Sequence, residues 1–337
     1  MRCVTMWSMN RSFPRIVLVL LLLVALPYRS PAPLIYRPGE GWTYEMPGNK
    51  GDWRRVRAKD QLAAAQQAFE AKKFKLALKS AQRVVKVWPL SDYAPQAQYL
   101  VGRCYEERHQ DEKAFNAYQT LLVKYPRSSH ADDVQHRQFV IALRFLHGEW
   151  FKLLGYIPFF PSMEKTAGMF GKIVQYGPYG ELAPQAQMDI GAAREKQKQY
   201  PEAVRAYELA ADRYSDQKQL AAEALYKAAQ AYNKQARKAD YDQSVAGQAI
   251  SAYTDFMALY PDDPRVADAA KSIASLRAED ALGNFKIAQY YEKEKKYDGA
   301  LVYYNAVYNE LRQDAGSPLA KKALERIDFF KKRAPVK

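Results

Sequence analysis

Histidine and cysteine are the side chains from which a metal site or a nucleophilic centre would first be built, and this chain has few of them. Its 337 residues contain two cysteines and four histidines. They are Cys3, Cys104, His109, His130, His136 and His147. No histidine has a second one four residues away on a helix, and the cysteines do not cluster, so the spacing that a zinc site requires is missing. We expect neither a metal ion nor a disulfide framework.

Carboxylates and glycine-rich loops are the other common carriers of chemistry. The adjacent pairs Glu106–Glu107 and Asp132–Asp133 fall at helix starts or on exposed faces, where capping and solvation explain them. No phosphate-binding glycine loop and no Gly-x-Ser-x-Gly elbow occurs. The sequence therefore predicts a protein with no catalytic residues and no cofactor. An enzyme on a helical scaffold, the alternative, would need a polar cluster in a groove.

One stretch, residues 95–126, has the spacing of a complete tetratricopeptide repeat. Counting Pro95 as position 1, Gly102, Tyr105, Ala114, Tyr118 and Pro126 stand at positions 8, 11, 20, 24 and 32. This is the pattern of a helix–turn–helix unit of about 34 residues. Small residues at positions 8 and 20 allow the two helices to approach closely, aromatic residues fill the space between hairpins, and the proline ends the second helix.

Copies of this unit run from about residue 58 to the end of the chain. The first, fourth and fifth copies keep Ala65, Gly191 and Ala229 at position 8. The third copy is interrupted: helices are predicted over 131–146 and 165–176 with an insertion between them. A helix over 265–281 precedes a final pair. The predicted fold class is all-α, a tetratricopeptide-repeat superhelix of about six hairpins, two of them with insertions.

A repeat solenoid offers a groove rather than a closed pocket, so we expect it to bind other proteins. Positions 2, 5, 9 and 12 of each first helix should line this groove. The residues concerned are Leu62, Gln66 and Phe69, then Gln96, Tyr99, Arg103 and Glu106. Such a mixture of apolar, amide and charged groups suits an extended peptide or a loop of a partner.

The insertion in the third copy, residues 147–164, is a second candidate surface because it is rich in aromatic side chains. These are Trp150, Phe151, Tyr156, Phe159 and Phe160. Two interpretations are open: the run is tucked into the groove, or it is left exposed as a contact for a partner or a membrane.

The chain is basic, with a formal net charge of +14. Lysine and arginine are spread among acidic residues, as on a solvated helical surface, and the aromatic residues recur at packing positions. Binding of nucleic acid is therefore not expected, although basic charge combined with aromatic residues can bind single-stranded nucleic acid in other proteins.

The amino terminus has the features of an export signal. Arg2, Arg11 and Arg15 precede the unbroken apolar run Ile16–Leu26. This run rises about 16 Å as a helix, which is too short for a hydrocarbon core of roughly 30 Å. We therefore assign residues 1–32 as a signal peptide or an amino-terminal anchor, with cleavage left open.

The remaining chain divides into three predicted parts. Residues 33–57, rich in proline, glycine and aromatic residues, should form an extended tether. Residues 58–316 should be the solenoid, and 317–337 a capping helix and tail. In the capping helix, Leu324 and Ile327 should share an apolar face with Ala320 and Ala323. The alternative for this basic helix is contact with anionic lipid.

Residues 218–312 resemble a known family. An alanine-rich helix ending AQAYNKQ, an insertion containing YDQS, and then AISAYTDFMALYPDDP are similar to the third repeat of the BamD (ComL-like) outer-membrane assembly lipoproteins. The following stretch has a Leu-Arg pair, then Ile-Ala with paired tyrosines, then a Tyr-x-x-Ala-x-x-x-Tyr hairpin, and it resembles the last part of that family. The likeness covers most of residues 58–312.

The resemblance implies a periplasmic scaffold on the periplasmic side of the outer membrane. Its first repeats would receive unfolded outer-membrane proteins, and its last repeats would bind the β-barrel insertase. The chain departs from the family in two respects: no lipid-attachment cysteine follows the apolar run, and a further hairpin lies around residues 131–217. The alternative is a general periplasmic adaptor for cell-wall synthesis, division or polysaccharide export.

Overall fold

The computed structural model describes residues 34–44, 53–153, 157–238, 243–312 and 316–333. Contacts divide the chain into two compact units, Met1–Leu100 and Val101–Lys337. Thirteen α-helices and two short β-hairpins make up the regular structure of the described residues. The predicted all-α tetratricopeptide-repeat fold is confirmed.

The helices alternate as first and second members of six repeats, and one further helix follows. Their bounds are α1 Ala58–Glu70, α2 Phe74–Val87, α3 Ala94–Glu106, α4 Asp111–Lys124, α5 Ala131–Leu146, α6 Met163–Tyr176, α7 Ala183–Lys196, α8 Tyr200–Arg213, α9 Lys218–Lys238, α10 Gln243–Leu259, α11 Val266–Lys293, α12 Tyr297–Leu311 and α13 Pro318–Arg333. The helix predicted over 131–146 has the predicted bounds, and the helix predicted from 165 begins two residues earlier.

The turn inside a repeat has one recurring backbone form. Four residues at position 15 have a positive φ of 52° to 60°: Lys72, His109, Lys198 and Lys295. After each, the next N–H bonds back to the carbonyl five residues earlier, as in Gln199 to Arg194 at 3.0 Å. This left-handed cap ends the first helix and reverses the chain. His109 therefore belongs to a turn.

In two repeats the residue at position 8 of the first helix is in close contact with a tyrosine of the second helix. A Cβ added to Gly102 would lie 2.2 Å from a ring carbon of Tyr118, and one added to Gly191 would lie 2.4 Å from the same carbon of Tyr207. Ala114 at position 20 is fully buried. In these two hairpins the tyrosine ring thus lies against the first helix at a place where an added Cβ would overlap it, so glycine is required there.

The segment predicted as an extended tether contains a β-hairpin. Strand β1 (Leu34–Arg37) pairs antiparallel with β2 (Gly41–Tyr44). The buried Glu40 in its turn accepts a hydrogen bond from the N–H of Lys59 at 3.4 Å. Gly39 also accepts one from the N–H of Asp92 at 2.8 Å. The hairpin is docked on the first repeat because its turn supplies oxygen acceptors to free backbone N–H groups.

The insertion forms a second β-hairpin, which periodicity did not reveal. Strand β3 (Phe151–Leu153) pairs antiparallel with β4 (Ile157–Phe160). Phe151 is buried and stacks on Phe145 of α5 with ring centroids 4.1 Å apart. The start of the insertion is therefore folded onto the helix before it.

Helix α11 corrects one predicted boundary. The sequence suggested a helix over 265–281 and then a separate first helix of the final pair, but α11 is continuous for 28 residues. No proline interrupts it, and the buried Asn284 donates a hydrogen bond to Asp280 one turn earlier at 3.2 Å. Neighbouring side chains thus support the helix across the glycine at 283.

Helix α13 packs on the last repeat, with one change from the predicted face. Ala320, Ala323, Ile327 and Phe330 share a core cluster with Tyr304 of α12. Leu324, predicted for this face, is 38% exposed. Residues three and seven positions apart share a helical face, so Phe330 fills the place and Leu324 lies at its edge.

Among the residues that the structure describes, no helix is both long enough and apolar enough to cross a membrane. The apolar run Ile16–Leu26 lies outside those residues.

Candidate protein-binding groove

The first-helix positions 2, 5, 9 and 12 come together on α7, in the unit Val101–Lys337. Gln185, Met188, Ala192 and Glu195 all line one open cavity of about 530 Å³, which we call the α7 groove. Spacings of three and four residues place these side chains on one helical face. The rest of the lining comes from the end of α7, the turn after it, α8 and α9: Lys196, Lys198, Tyr200, Tyr207, Glu223, Lys227 and Lys234, with Asp189 beside Met188.

Two predicted groove residues of the first repeat are taken up by internal packing. Leu62 is 4% exposed and lies in a core cluster with Val84 and Ala97. Phe69 is half-buried against Phe74, with ring centroids 5.4 Å apart. For Leu62 the prediction is corrected: apolar character drew this side chain into the core instead of the groove.

Three other predicted residues keep accessible surface. Gln66 and Tyr99 are half-buried, and Gln96 is exposed. That these three residues contact a partner remains a prediction. Arg103, also half-buried, faces Glu107 one turn later at 3.7 Å.

Glu106, predicted to face a partner, is already engaged within the protein. It accepts a hydrogen bond from the hydroxyl of Tyr118 at 2.7 Å and one from Arg137 at 3.1 Å. Arg144 lies 3.6 Å from its other oxygen. A carboxylate with these donors stabilises the hairpin and its contact with α5, so little of it is left for a ligand.

The same arrangement recurs in two further repeats. Tyr207 donates to Glu195 at 2.9 Å, and Tyr304 donates to Glu292 at 2.7 Å. Lys234 of α9 pairs with Glu195, and Arg326 of α13 pairs with Glu292. In all three repeats the glutamate is at position 12, the tyrosine at position 24, and the cation comes from a following helix. The pair at 12 and 24 was visible in the sequence, and our sequence analysis missed it.

Burial keeps these tyrosines protonated. Desolvation, together with the glutamate beside it, raises the pKa of Tyr304 to about 12 and raises the pKa of Tyr118 and of Tyr207 as well. The phenol therefore remains a hydrogen-bond donor at any physiological pH, and the glutamate at position 12 stays fixed.

Asp189, in the wall of the α7 groove, is a buried carboxylate that lacks the partners of these glutamates. It is 7% exposed, its Oδ1 accepts a hydrogen bond from Gln185 at 3.2 Å, and its Oδ2 accepts none from any described residue. Burial raises its pKa to about 6, Gln185 and His147 oppose that rise, and Glu223 adds to it. A carboxylate is thus held in the groove wall without the partners that buried charge requires.

The structure describes the side chains of only part of the insertion. Trp150 is 51% exposed, whereas Phe151 is buried. The prediction that Phe151 contacts a partner or a membrane is therefore wrong, because its ring stacks on Phe145. Tyr156 lies outside the described residues, as do the side chains of Phe159 and Phe160.

Within the described part of the chain, no group of three or more histidine, cysteine or acidic side chains could hold a metal ion. Burial raises the pKa of the Cys104 thiol to about 12. A thiol in that state is not a nucleophile at neutral pH, and Cys104 acts as a small core residue.

The class of protein follows from the repeats. Residues 96–128 match the model of a tetratricopeptide repeat, a module that mediates protein–protein or peptide binding. The chain is also similar to solved repeat proteins. The C-terminal part of a repeat protein from Cytophaga hutchinsonii is 15% identical, with 93% of this chain and 95% of that chain covered and a TM-score of 0.33. YrrB, described as having an unusual peptide-binding site, is 14% identical, with 64% and 92% covered and a TM-score of 0.32.

The second half of the chain shows to which family the protein belongs. Residues 162–332 match the model of the YfiO outer membrane lipoproteins, the BamD family, and the chain belongs to that family. The match begins just before α6 and includes the α7 groove. No curated protein matches the chain. Members of such families are protein-interaction scaffolds, and the family description is consistent with a location in the cell envelope.

Proposed function

We propose that this chain is an exported, non-enzymatic scaffold that takes part in the assembly and insertion of β-barrel proteins into the outer membrane. The observation that carries the proposal is the family match over residues 162–332, which covers α6, the three repeats from α7 to α12, and α13 up to its last residue. Its partners would be the β-barrel insertase and unfolded outer-membrane proteins or their peptides, met on the periplasmic side of that membrane.

The geometry of the α7 groove supports binding of an extended segment. Its cavity is open along a first-helix face, and it combines the apolar Met188 with Tyr200 and several charged groups. Tyr207 and Glu195 are held rigidly by their hydrogen bond, so the wall needs little ordering when a ligand arrives. A peptide that lies along such a wall can bury apolar side chains and pair its polar groups.

Site-specific photo-crosslinking in intact cells tests this function. A photoreactive residue at Lys198, in the groove lining, should form adducts with outer-membrane β-barrel proteins or with their insertase. The matched control replaces the exposed Asp212 on α8, outside that lining, and should form few. Adducts at Lys198 with soluble periplasmic proteins alone would contradict the proposal.

A second candidate function is a general periplasmic adaptor, in cell-wall synthesis, division or polysaccharide export. It is favoured by the extent of the family match, which begins at residue 162 and leaves α1 to α5 outside. Depletion of the protein distinguishes the two: loss of β-barrel proteins from the outer membrane supports the first function, and wall or division defects with normal β-barrel levels support the second.

The insertion is proposed as an additional contact through Trp150. Half of this side chain is exposed, although its neighbour Phe151 is buried. An indole at a surface commonly anchors a protein partner or the interface of a membrane. A photoreactive residue at Trp150 would show which of these it meets.

A further inference from the structure

The β-hairpin docked on the first repeat presents two aromatic rings to solvent. Tyr36 of β1 and Trp42 of β2 are cross-strand partners, with ring centroids 5.4 Å apart. These residues are 59% and 67% exposed. Directly opposed side chains of an antiparallel pair share one face, so the two rings form a single surface, which we call the aromatic pair. Most of that surface is in water and adds little to the packing of the repeat.

The turn of the hairpin fixes where the aromatic pair lies. Glu40 accepts a hydrogen bond from the N–H of Lys59, at the start of α1, and Gly39 accepts one from the N–H of Asp92, just before α3. A further apolar residue, Leu90, lies two positions before Asp92 and is 95% exposed. The aromatic pair is therefore held at the end of the repeat at which α1 and α3 begin.

A basic segment, residues 53–59, leads into α1 beside this turn. It contains four exposed cations, Arg54, Arg55, Arg57 and Lys59. The buried Gln61 fixes the segment, because its side chain accepts a hydrogen bond from the N–H of Arg55 at 2.8 Å and donates one to the carbonyl of Trp53 at 3.0 Å. The guanidinium of Arg57 lies 3.9 Å from the carboxylate in the turn. The cations of the basic segment are thus held close to the hairpin.

Positive charge is concentrated in this part of the chain. The described residues 34–44 and 53–100 contain eleven lysines and arginines against four acidic residues, whereas the whole chain has 51 against 37. One of the four, Glu40, is buried, and the exposed ones are Asp60, Glu70 and Asp92. A surface with this excess of cations attracts anionic partners.

The combination of aromatic rings and cations favours a lipid surface among those partners. Tryptophan and tyrosine have an apolar body and a polar tip, which suits the boundary between headgroups and hydrocarbon. Lysine and arginine near an anionic leaflet add electrostatic attraction. The aromatic pair and the basic segment therefore supply both components of binding to a membrane interface.

The sequence also keeps this surface within reach of the apolar run. Only nine residues, 27–35, separate Leu26 from Tyr36. A chain extends no more than about 3.5 Å per residue, so the aromatic pair lies within about 35 Å of the end of the run. A chain anchored through Ile16–Leu26 therefore carries the aromatic pair to the surface of the membrane that holds the anchor.

We propose that the aromatic pair and the basic segment form a binding surface for the interface of an anionic lipid bilayer. This inference rests on the proposed function only in placing the chain at a membrane. It adds a lipid partner for the first repeat, which would meet the bilayer with the start of α1 toward the lipid.

Fluorescence quenching by brominated lipids tests the contact on the full chain. A fluorescent aromatic amino acid replaces Trp42, and the vesicles are equal parts phosphatidylglycerol and phosphatidylcholine, with or without bromine on the acyl chains. We expect bromine to quench the fluorophore at position 42. The matched control has the fluorophore in place of the exposed Glu70, about 16 Å along α1 from Lys59, and should not be quenched. Both chains contain the same apolar run, so its insertion affects them alike.

The charge of the lipid and of the protein should both matter at position 42. Vesicles of phosphatidylcholine alone should quench less. Arg54→Gln combined with Arg55→Gln should weaken the contact about fivefold or more, since one cation near an anionic surface contributes roughly that factor. Lys72→Gln combined with Lys73→Gln, in the turn at the other end of α1, is the matched control and should leave the quenching unchanged. Melting temperatures show that these variants are folded.

Three results would overturn the inference. They are equal quenching at positions 42 and 70, quenching at position 42 that is the same on neutral and anionic vesicles, and no quenching at position 42. In the last case, photo-crosslinks from position 42 to a protein in intact cells would assign the aromatic pair to a protein partner instead.

The two proposals fail in different ways. Absence of the lipid contact with crosslinking of β-barrel proteins at Lys198 intact would refute only the role of the aromatic pair and the basic segment. Lipid contact without any β-barrel partner would refute the proposed function and leave the lipid-binding surface in place.

Discussion

The repeats α3–α4 and α7–α8 begin with the same four residues, Pro-Gln-Ala-Gln, and they share glycine at position 8, glutamate at position 12 and tyrosine at position 24. Their contacts at these positions are alike: Tyr118 and Tyr207 lie on the glycine and donate to the glutamate. Among the positions at which the two repeats differ are 5, 6 and 9, whose residues in α7 line the groove.

The side chains at those three positions differ in chemistry between the two repeats. The first repeat has Tyr99, Leu100 and Arg103, and the second has Met188, Asp189 and Ala192. At position 6 both residues are buried, so one repeat buries an apolar group and the other a carboxylate. The residues at positions 8, 12 and 24 thus make the same contacts in both hairpins, while the side chains at positions 5, 6 and 9 change between them.

The largest effect on the free energy of unfolding is expected at position 6, where α7 has the buried Asp189. A pKa raised from 3.8 to about 6 corresponds to about 3 kcal/mol of destabilisation when Asp189 is ionised. The folded pKa is the higher one, so this cost is absent below about pH 4 and complete above about pH 6. Asp189→Asn should therefore raise the free energy of unfolding at pH 8 and leave it almost unchanged at pH 4.

Chemical denaturation at both pH values measures this difference. Asp212→Asn makes the same chemical change at an exposed site and should have little effect at either pH. A lower stability of Asp189→Asn at pH 8 would mean that the carboxylate has a partner that stabilises it.

The second prediction tests whether the two repeats share one skeleton. Gly102→Ala and Gly191→Ala each add a methyl group that overlaps the ring of a tyrosine in the second helix. Each substitution should destabilise the protein by about 2 kcal/mol. Gly168→Ala in α6 is the control, since nothing lies within 4 Å of its added Cβ. It should stabilise the helix by about 0.5–1 kcal/mol. Thermal melting shows the sign, and a stabilised Gly102→Ala would disprove the register.

The smallest effect concerns the tyrosine hydroxyl. Tyr118→Phe and Tyr207→Phe each remove one donor to a glutamate that keeps a cationic partner, so each should lose about 1 kcal/mol. Tyr179→Phe is the control because its side chain is 94% exposed. Unequal losses in the two repeats, seen in urea titrations, would show that the shared hydrogen bond does not contribute equally.

Much of the fold could be predicted because repeat contacts are local. Gly102, Ala114 and Tyr118 identify a hairpin by spacing alone, and the helix over 131–146 was predicted to its ends. The insertion could not be read in this way. Phe151 looks like a surface residue in the sequence, and only its stacking on Phe145 removes it from solvent.

The candidate site was predictable in position and not in chemistry. The rule of positions 2, 5, 9 and 12 describes the lining of the α7 groove, although the seven residues named from the first two repeats include the buried Leu62 and the engaged Glu106. Asp189, at position 6, was not selected, since a polar residue beside a groove position carries no signal of its own.

The sequence alone determined the order of hairpins, their turns and the close approach of helices, since each depends on residues fewer than about 34 apart along the chain. The tertiary structure decided which charges are satisfied. Glu106 meets Arg137 and Arg144 across repeats, whereas the Oδ2 of Asp189 accepts no hydrogen bond from any described residue. Whether a carboxylate is solvated, paired or left for a ligand depends on what packs around it from distant parts of the chain, and spacing does not encode that environment.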